Sequence, residues 1–205
     1  MAKIKICGIT NYEDAVAAAE MGAHLLGFNF YPKSPRFIQP EKAGEIIVKL
    51  PACVDIVGVF VNAPLAEIRE VTGQCQINWV QLHGDEEPEF CRELAYDSVR
   101  IIKALRVQKA EDIRRMDDYF TDAILLDAFH PAKYGGTGLQ FDWNIMGNTV
   151  RRIFLAGGIN PDNAAEAAEL GVYGIDVCSG VEAEPGKKDH QKMKRLFDNI
   201  RHLRG

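Results

Sequence analysis

Short apolar runs recur along the chain, and longer helix-forming stretches separate them. The apolar runs predict strands at residues 4–7, 24–30, 54–61, 77–82, 100–105, 123–127, 153–156 and 173–177. Stretches with polar starts and apolar or alanine-rich interiors predict helices at residues 11–21, 40–50, 64–71, 87–94, 109–119, 161–170 and 187–203, with a short one near 143–146. Because strands and helices alternate, we expect a parallel sheet covered by helices on both faces.

The number of repeats selects one architecture within the α/β class. Eight strand–helix units of about 25 residues each predict a (β/α)8 TIM barrel, a parallel eight-stranded barrel with outer helices. A doubly wound open sheet is the rival, but no GxGxxG fingerprint follows the first strand. No linker or low-complexity segment divides the sequence, so we expect residues 1–205 to form a single barrel domain.

Composition and charge narrow the classes of partner. The chain has 205 residues, 47% of them hydrophobic, which is enough for one sizeable core. Its net charge of -5 and the lack of a Lys/Arg cluster argue against nucleic acid. No apolar run approaches the ~20 residues of a membrane span. Five cysteines without CxxC spacing predict reduced thiols in a cytoplasmic protein without a metal site. The N-terminal residues predict no signal peptide.

Two chemically useful side chains stand at predicted strand ends. Cys7 ends the first strand and Asp127 ends the sixth. Active sites of such barrels lie at the C-terminal ends of the strands, and an isomerase needs one proton acceptor and one donor. The alternatives are a buried structural thiol and a carboxylate that caps a turn. A free thiol with a pKa near 8.5 is only ~3% thiolate at pH 7, so a base at Cys7 needs a neighbouring cation or helix N-terminus.

Glycine turns after the seventh and eighth strands predict an anion site. The residues concerned are Gly157, Gly158, Ser179 and Gly180. Barrels frequently bind phosphate in these two loops, where glycine lets backbone N–H groups approach the anion. Arg36 follows Ser34-Pro35, and its guanidinium is suited to a bidentate grip on a carboxylate, although a solvated arginine is the alternative.

The motifs taken together resemble the phosphoribosylanthranilate isomerases. They cover most of the chain in the family's order and read KICGIT at 5–10, GFNF at 27–30, SPR at 34–36, VQLHG at 80–84, LD at 126–127, GGTG at 135–138, AGGI at 156–159, DV at 176–177 and SGVE at 179–182. The resemblance implies the Amadori rearrangement of N-(5-phosphoribosyl)anthranilate to 1-(o-carboxyphenylamino)-1-deoxyribulose 5-phosphate in tryptophan biosynthesis. It implies no metal and no cofactor, because the substrate's own nitrogen supplies the electron sink.

The resemblance also implies residue roles. Asp127 matches the general acid that protonates the furanose ring oxygen, and Cys7 matches the base that removes the C2 proton. Arg36 matches the residue that holds the anthranilate carboxylate. The phosphate-binding turns match Gly157, Gly158, Ser179 and Gly180. The expected partner is a phosphorylated small molecule, without nucleic acid or membrane, and the oligomeric state is open.

Other functions remain as alternatives at this point. A histidine-pathway Amadori isomerase resembles this chain less, because those enzymes carry Asp at the position of Cys7. A pentose-phosphate epimerase needs metal-binding histidines on the second and third strands, whose ends here have none. A barrel that only binds a phosphate ligand needs no acid and base pair. One departure from the family is Cys178, where Ser is common, and a glycine-rich tip at 135–138 predicts a lid.

Overall fold

The chain folds into a closed barrel of eight parallel strands. The computed structural model describes residues 2–128, 142–146 and 149–201. The strands pair in sequence order around the ring, and β8 closes it against β1. They are β1 Lys3–Cys7, β2 Leu25–Asn29, β3 Asp55–Phe60, β4 Trp79–Leu82, β5 Arg100–Val107, β6 Ala123–Ala128, β7 Ile153–Leu155 and β8 Gly174–Val177. The predicted (β/α)8 architecture is confirmed.

Helices cover the outside of the ring. They are α1 Tyr12–Met21, α2 Pro40–Ile47, α3 Leu65–Cys75, α4 Pro88–Leu94, α5 Ala110–Arg114, α6 Ala164–Glu169 and α7 His190–Ile200. Local sequence sets their ends. Asn11 caps α1 by accepting the N–H of Asp14, and Gly22 ends it in a left-handed conformation at φ 101°. No helix in the part of the chain that the structure describes is long and apolar enough to span a membrane.

Five predicted helices differ from the structure. The helix predicted at 40–50 ends at Ile47, and the helix predicted at 64–71 continues to Cys75. The helix predicted at 109–119 ends early, and Arg115–Asp118 forms a 3₁₀ turn instead. The helix predicted at 161–170 begins only at Ala164. The helix predicted from Lys187 begins at His190, because a short antiparallel hairpin precedes it. That hairpin consists of β9 Glu182–Glu184 and β10 Lys187–Lys188, and Gly186 turns it with φ 83°.

Residues alternate between the barrel interior and the helix layer along each strand. The interior cluster includes Leu25, Val57, Trp79, Ile102 and Phe154. A larger cluster fills the space between strands and helices, where the neighbours of these residues pack. The period of two therefore sends the side chain of every second strand residue toward the barrel axis. This alternation decides which polar residues can reach an active site.

Candidate active site

The pairing of β1 with β8 creates a buried ion pair beneath Cys7. The register places Lys5 opposite Asp176, and Lys5 Nζ lies 2.9 Å from Asp176 Oδ1. Cys7 follows two residues later and faces the same interior. A Cβ atom added to Gly27 on β2 would lie 2.8 Å from Cys7 Sγ and 3.1 Å from Lys5 Nζ. Thiol and ammonium therefore lie together in the space that the missing side chain of Gly27 leaves.

The surroundings of Cys7 favour its thiolate. A hydrogen bond from Cys178 lowers the pKa of Cys7 well below its usual value, burial opposes this shift, and the charge of Lys5 adds to the lowering. The same hydrogen bond, together with burial, raises the pKa of Cys178. Cys178 is thus the donor and Cys7 the acceptor of the pair. Burial alone would lower the pKa of Lys5, but Asp176 and the Cys7 thiolate raise it, so Lys5 stays charged.

Asp176 is held in a different balance. Burial raises its pKa to about 6, Lys5 opposes the rise, and the charges of Cys7 and then Asp127 add to it. The charge of Asp127 therefore acts on Asp176 inside the barrel. The Lys5 ammonium thus lies between the Cys7 thiol and the Asp176 carboxylate. Such clusters of charged groups shift the pKa values of proton acceptors in active sites.

Arg36 forms a second buried ion pair at the mouth. Its Nε and Nη2 atoms donate to the two carboxylate oxygens of Glu182 at 2.8 and 2.6 Å. Lys188 Nζ, from the hairpin, lies 2.9 Å from Glu182 Oε1. Two of the five guanidinium N–H groups are thereby used, and the plane of the guanidinium is fixed. Arg36 is buried, so the alternative of an ordinary solvated arginine is wrong.

Asp127 lies on the interior face of β6 beside His83. Its Oδ1 accepts the N–H of Ala128 at 2.9 Å, and its Oδ2 lies 3.3 Å from His83 Nε2. The orientation of His83 is poor for a hydrogen bond at that distance, so its buried Nε2 has no hydrogen-bond partner among the described residues. The amide nitrogen of Gln81 lies 2.8 Å from His83 Nδ1. Because an amide nitrogen only donates, Nδ1 accepts and the imidazole hydrogen is on Nε2, facing Asp127.

The two glycine turns are in contact. Gly157 and Gly158 both have positive φ angles, 86° and 66°. A Cβ on Gly180 would lie 2.0 Å from the carbonyl oxygen of Ile159, so only glycine fits there. Ser179 and Gly180 form a 3₁₀ turn that packs against the segment directly after Gly158. The predicted anion-site residues therefore lie together at the C-terminal ends of β7 and β8.

Comparison with known proteins places the chain in a family. A family model described as N-(5'-phosphoribosyl)anthranilate (PRA) isomerase matches residues 4–199. The chain belongs to the phosphoribosylanthranilate isomerase family. A relative of that name from Citrifermentans bemidjiense is 49% identical over 200 residues, covering 96% of each chain. The phosphoribosyl anthranilate isomerase structure from Thermotoga maritima is 44% identical with a TM-score of 0.92, covering 99% of this chain and 100% of that one.

Another solved family member carries a ligand. It is a phosphoribosyl anthranilate isomerase in complex with reduced 1-(o-carboxyphenylamino)-1-deoxyribulose 5-phosphate, 42% identical with a TM-score of 0.86 over 99% of this chain and 100% of that one. The predicted function is confirmed by these matches. The chain is an isomerase of tryptophan biosynthesis, and its reaction is the Amadori rearrangement of N-(5'-phosphoribosyl)anthranilate.

The sequence alone assigns no role to most of the polar groups that surround Cys7 and Asp127. Lys5 and Glu182 were given no role, and neither was Lys188. Lys5 shares a face of β1 with Cys7 at a spacing of two residues, and this was a usable signal. Glu182 and Lys188 carry no comparable signal, because the hairpin that presents them was predicted in part as helix. The predicted lid at 135–138 lies outside the described residues.

The described residues hold no candidate metal centre. No group of three or more His, Cys, Asp and Glu side chains there is arranged to hold an ion. The absence of a metal and of a cofactor from the reaction stays a prediction.

Proposed function

We propose that Cys7 and Asp127 perform the two proton transfers of the rearrangement. The observation that carries this assignment is the position of the Lys5 ammonium beside the Cys7 thiol at the end of β1, which favours a thiolate there. Asp127 points into the same interior from β6, with His83 beside it. A base and an acid thus approach one cavity from different strands, as an aldose–ketose isomerase requires.

The first step is ring opening. Asp127, in its protonated form, donates to the furanose ring oxygen, and the C1–O bond breaks to give a protonated Schiff base between C1 and the anthranilate nitrogen. His83 lies beside the Asp127 carboxylate, with Nε2 3.3 Å from Oδ2, and its imidazole dipole stabilises the negative charge left there after the transfer. His83 acts through Asp127 and is a positioning residue.

The second step is proton abstraction. The Cys7 thiolate takes the proton from C2, the electrons move into the Schiff base, and an enolamine forms. The enolamine then tautomerises to the ketone. Lys5 supports this step by keeping the resting thiol ionised, and Asp176 fixes the ammonium beneath it.

Substrate binding uses the two ends of the mouth. The guanidinium N–H groups of Arg36 that do not bond to Glu182 bind the anthranilate carboxylate. The fixed plane of the guanidinium favours a bidentate contact. The turns at Gly157, Gly158, Ser179 and Gly180 receive the phosphate through backbone N–H groups. We infer a phosphorylated small molecule as the partner of this site. The cytoplasmic location stays a prediction.

Fluorescence of the anthranilate group offers a direct assay of the assignment. Cys7→Ala and Asp127→Asn are each expected to lower kcat by about 10²- to 10⁴-fold, the usual worth of a general acid or base. Arg36→Ala is expected to raise KM with activity retained. Cys53→Ser, at an exposed thiol, serves as the control. Unchanged turnover in Cys7→Ala or Asp127→Asn would overturn the assignment.

A further inference from the structure

A second cysteine lies beside the proposed base. Ile6 pairs with Val177 in the register of β1 and β8, and Cys7 and Cys178 are the residues that directly follow this pair. Neighbouring strands are about 4.8 Å apart, which falls within the Cα–Cα range of disulfides, ~4.4–6.8 Å. Both cysteines are free, and the interaction between them lowers the pKa of Cys7 and raises that of Cys178. The register of the barrel therefore brings the two cysteines to neighbouring positions, as a disulfide requires.

The pair also has the electrostatics of a reactive thiol. Lys5 lies below it, and Lys188 Nζ lies 3.3 Å from the carbonyl oxygen of Cys178. Cys178 Sγ itself is 3.9 Å from Glu182 Oε1, at the inner edge of the Arg36 ion pair. Cations around a partly exposed thiolate raise its reactivity toward oxidants. Cys7 is buried at the C-terminal end of β1, and Cys178 beside it is half-buried, so a small molecule that enters the mouth reaches the pair through Cys178.

We propose that Cys7 and Cys178 form a peroxide-sensitive pair, in which Cys178 resolves the oxidised base as a reversible disulfide. The ligand class is a small peroxide, and the disulfide switches the isomerase off. The inactivation rests on the proposed role of Cys7, whereas formation of the bond does not.

The chemistry balances in two steps. The Cys7 thiolate attacks one peroxide oxygen, the O–O bond breaks, and the departing hydroxide takes a proton to form water, leaving a sulfenic acid on Cys7. The sulfur of Cys178 then attacks the Cys7 sulfur, the S–O bond breaks, and the hydroxide leaves with the Cys178 proton as a second water. Two thiols lose two electrons and two protons, and one peroxide is reduced to two waters.

Without Cys178 the oxidation takes another course. A sulfenic acid that finds no second thiol is oxidised further to a sulfinic acid, which thiol reductants do not reverse. Cys178 thus protects the base by trapping it at the reversible stage. The remaining cysteines offer no substitute, since Cys53 is exposed, Cys75 ends the outer helix α3 and Cys91 lies on the outer helix α4.

Peptide mapping of the oxidised full-length chain tests the proposal. Trypsin places Cys7 in peptide 6–33 and Cys178 in peptide 153–187, each with a single cysteine. Hydrogen peroxide in small molar excess is expected to link these two peptides, to abolish activity at the same rate, and to leave an enzyme that dithiothreitol restores fully. Cys178→Ser is expected to trap the sulfenic acid with dimedone and to lose activity that dithiothreitol does not restore. Cys53→Ser is the control and should behave like the wild type.

The outcomes separate the two claims. Peroxide-inactivated wild-type enzyme without the linked peptide contradicts the proposal, as does equal recovery of Cys178→Ser and wild type with dithiothreitol. A linked peptide in an enzyme that keeps full activity supports the disulfide and overturns Cys7 as the base.

Discussion

The buried ion pairs Lys5–Asp176 and Lys103–Glu86 differ in the face of the strand on which their lysine lies. Lys5 and Asp176 are 2.9 Å apart with side chains 0% and 7% exposed, and Lys103 and Glu86 are 2.6 Å apart with side chains 2% and 3% exposed. By burial and distance the two pairs are nearly equivalent. Their consequences for the reaction are not.

The face of the strand makes the difference. Lys5 lies on the interior face of β1, two residues from Cys7, and contributes to lowering the pKa of that thiol. Lys103 lies between Ile102 and Ala104, both in the interior cluster, so its side chain points outward to the helix layer. There it donates to the carbonyl oxygen of Gly84 at 2.8 Å, and Glu86 accepts the N–H groups of Asn62 and Gly84. We therefore expect the Lys5 pair, and not the Lys103 pair, to act on the proposed base.

Loss of one partner from either pair is expected to have the largest effect, and it is an effect on folding. Lys103→Met and Lys5→Met should each lower the free energy of unfolding by about 3–5 kcal/mol, because an unpaired buried carboxylate remains. The double variants Lys103→Met/Glu86→Gln and Lys5→Met/Asp176→Asn should recover most of the loss. Urea unfolding followed by circular dichroism measures this. Single variants as stable as the wild type would show that the carboxylates of Glu86 and Asp176 are not desolvated.

The same double variants are expected to separate the two pairs in catalysis. Lys5→Met/Asp176→Asn should lower kcat/KM at pH 7 by up to about 30-fold, because a thiol with an ordinary pKa is only ~3% ionised there. The acid limb of its pH profile should move to higher pH, so activity returns as the pH rises. Lys103→Met/Glu86→Gln is the matched control, since it also removes one cation and one carboxylate. A shift in the control as large as in the first variant would contradict the distinction.

The hairpin is expected to show a smaller effect on substrate binding. Glu182→Gln removes the charge that holds Arg36, and should raise KM about tenfold, the worth of one charge-assisted hydrogen bond of ~1.5 kcal/mol, with little change in kcat. Glu184→Gln on the same hairpin is the control, because Glu184 is exposed. Initial rates over a substrate series give both constants. An unchanged KM in Glu182→Gln would remove Glu182 from the positioning of Arg36.

Sequence reasoning located the strands and their ends well, for a physical reason. The length and spacing of the apolar runs are local properties of the sequence. Together with the rule that barrel sites lie at the C-terminal ends of strands, they point to Cys7 and Asp127 as candidates. Lys103 also lies near the end of the predicted fifth strand, but Ile102 and Ala104 on either side of it face the interior, so its side chain points outward. The alternation of side chains along a single strand therefore shows which polar residues near a strand end face the barrel interior.

The contacts that tune the site could not be predicted in the same way. Lys5 meets Asp176 and Arg36 meets Glu182 across 171 and 146 residues of sequence. Both contacts depend on the closure of β8 against β1 and on the short hairpin after it. The two lysines of that hairpin, Lys187 and Lys188, gave a helix-like pattern, and the turn at Gly186 outweighed it.

The central claim is that the Lys5 pair helps to hold Cys7 as a thiolate, and the ionisation of Cys7 itself tests it most directly. The rate of alkylation of peptide 6–33 by iodoacetamide, followed against pH by mass mapping, reports the thiolate of Cys7 alone. A midpoint clearly below the ordinary value of ~8.5 is predicted for the wild type and for Lys103→Met/Glu86→Gln, with a higher midpoint for Lys5→Met/Asp176→Asn. The same midpoint in all three proteins would contradict the account.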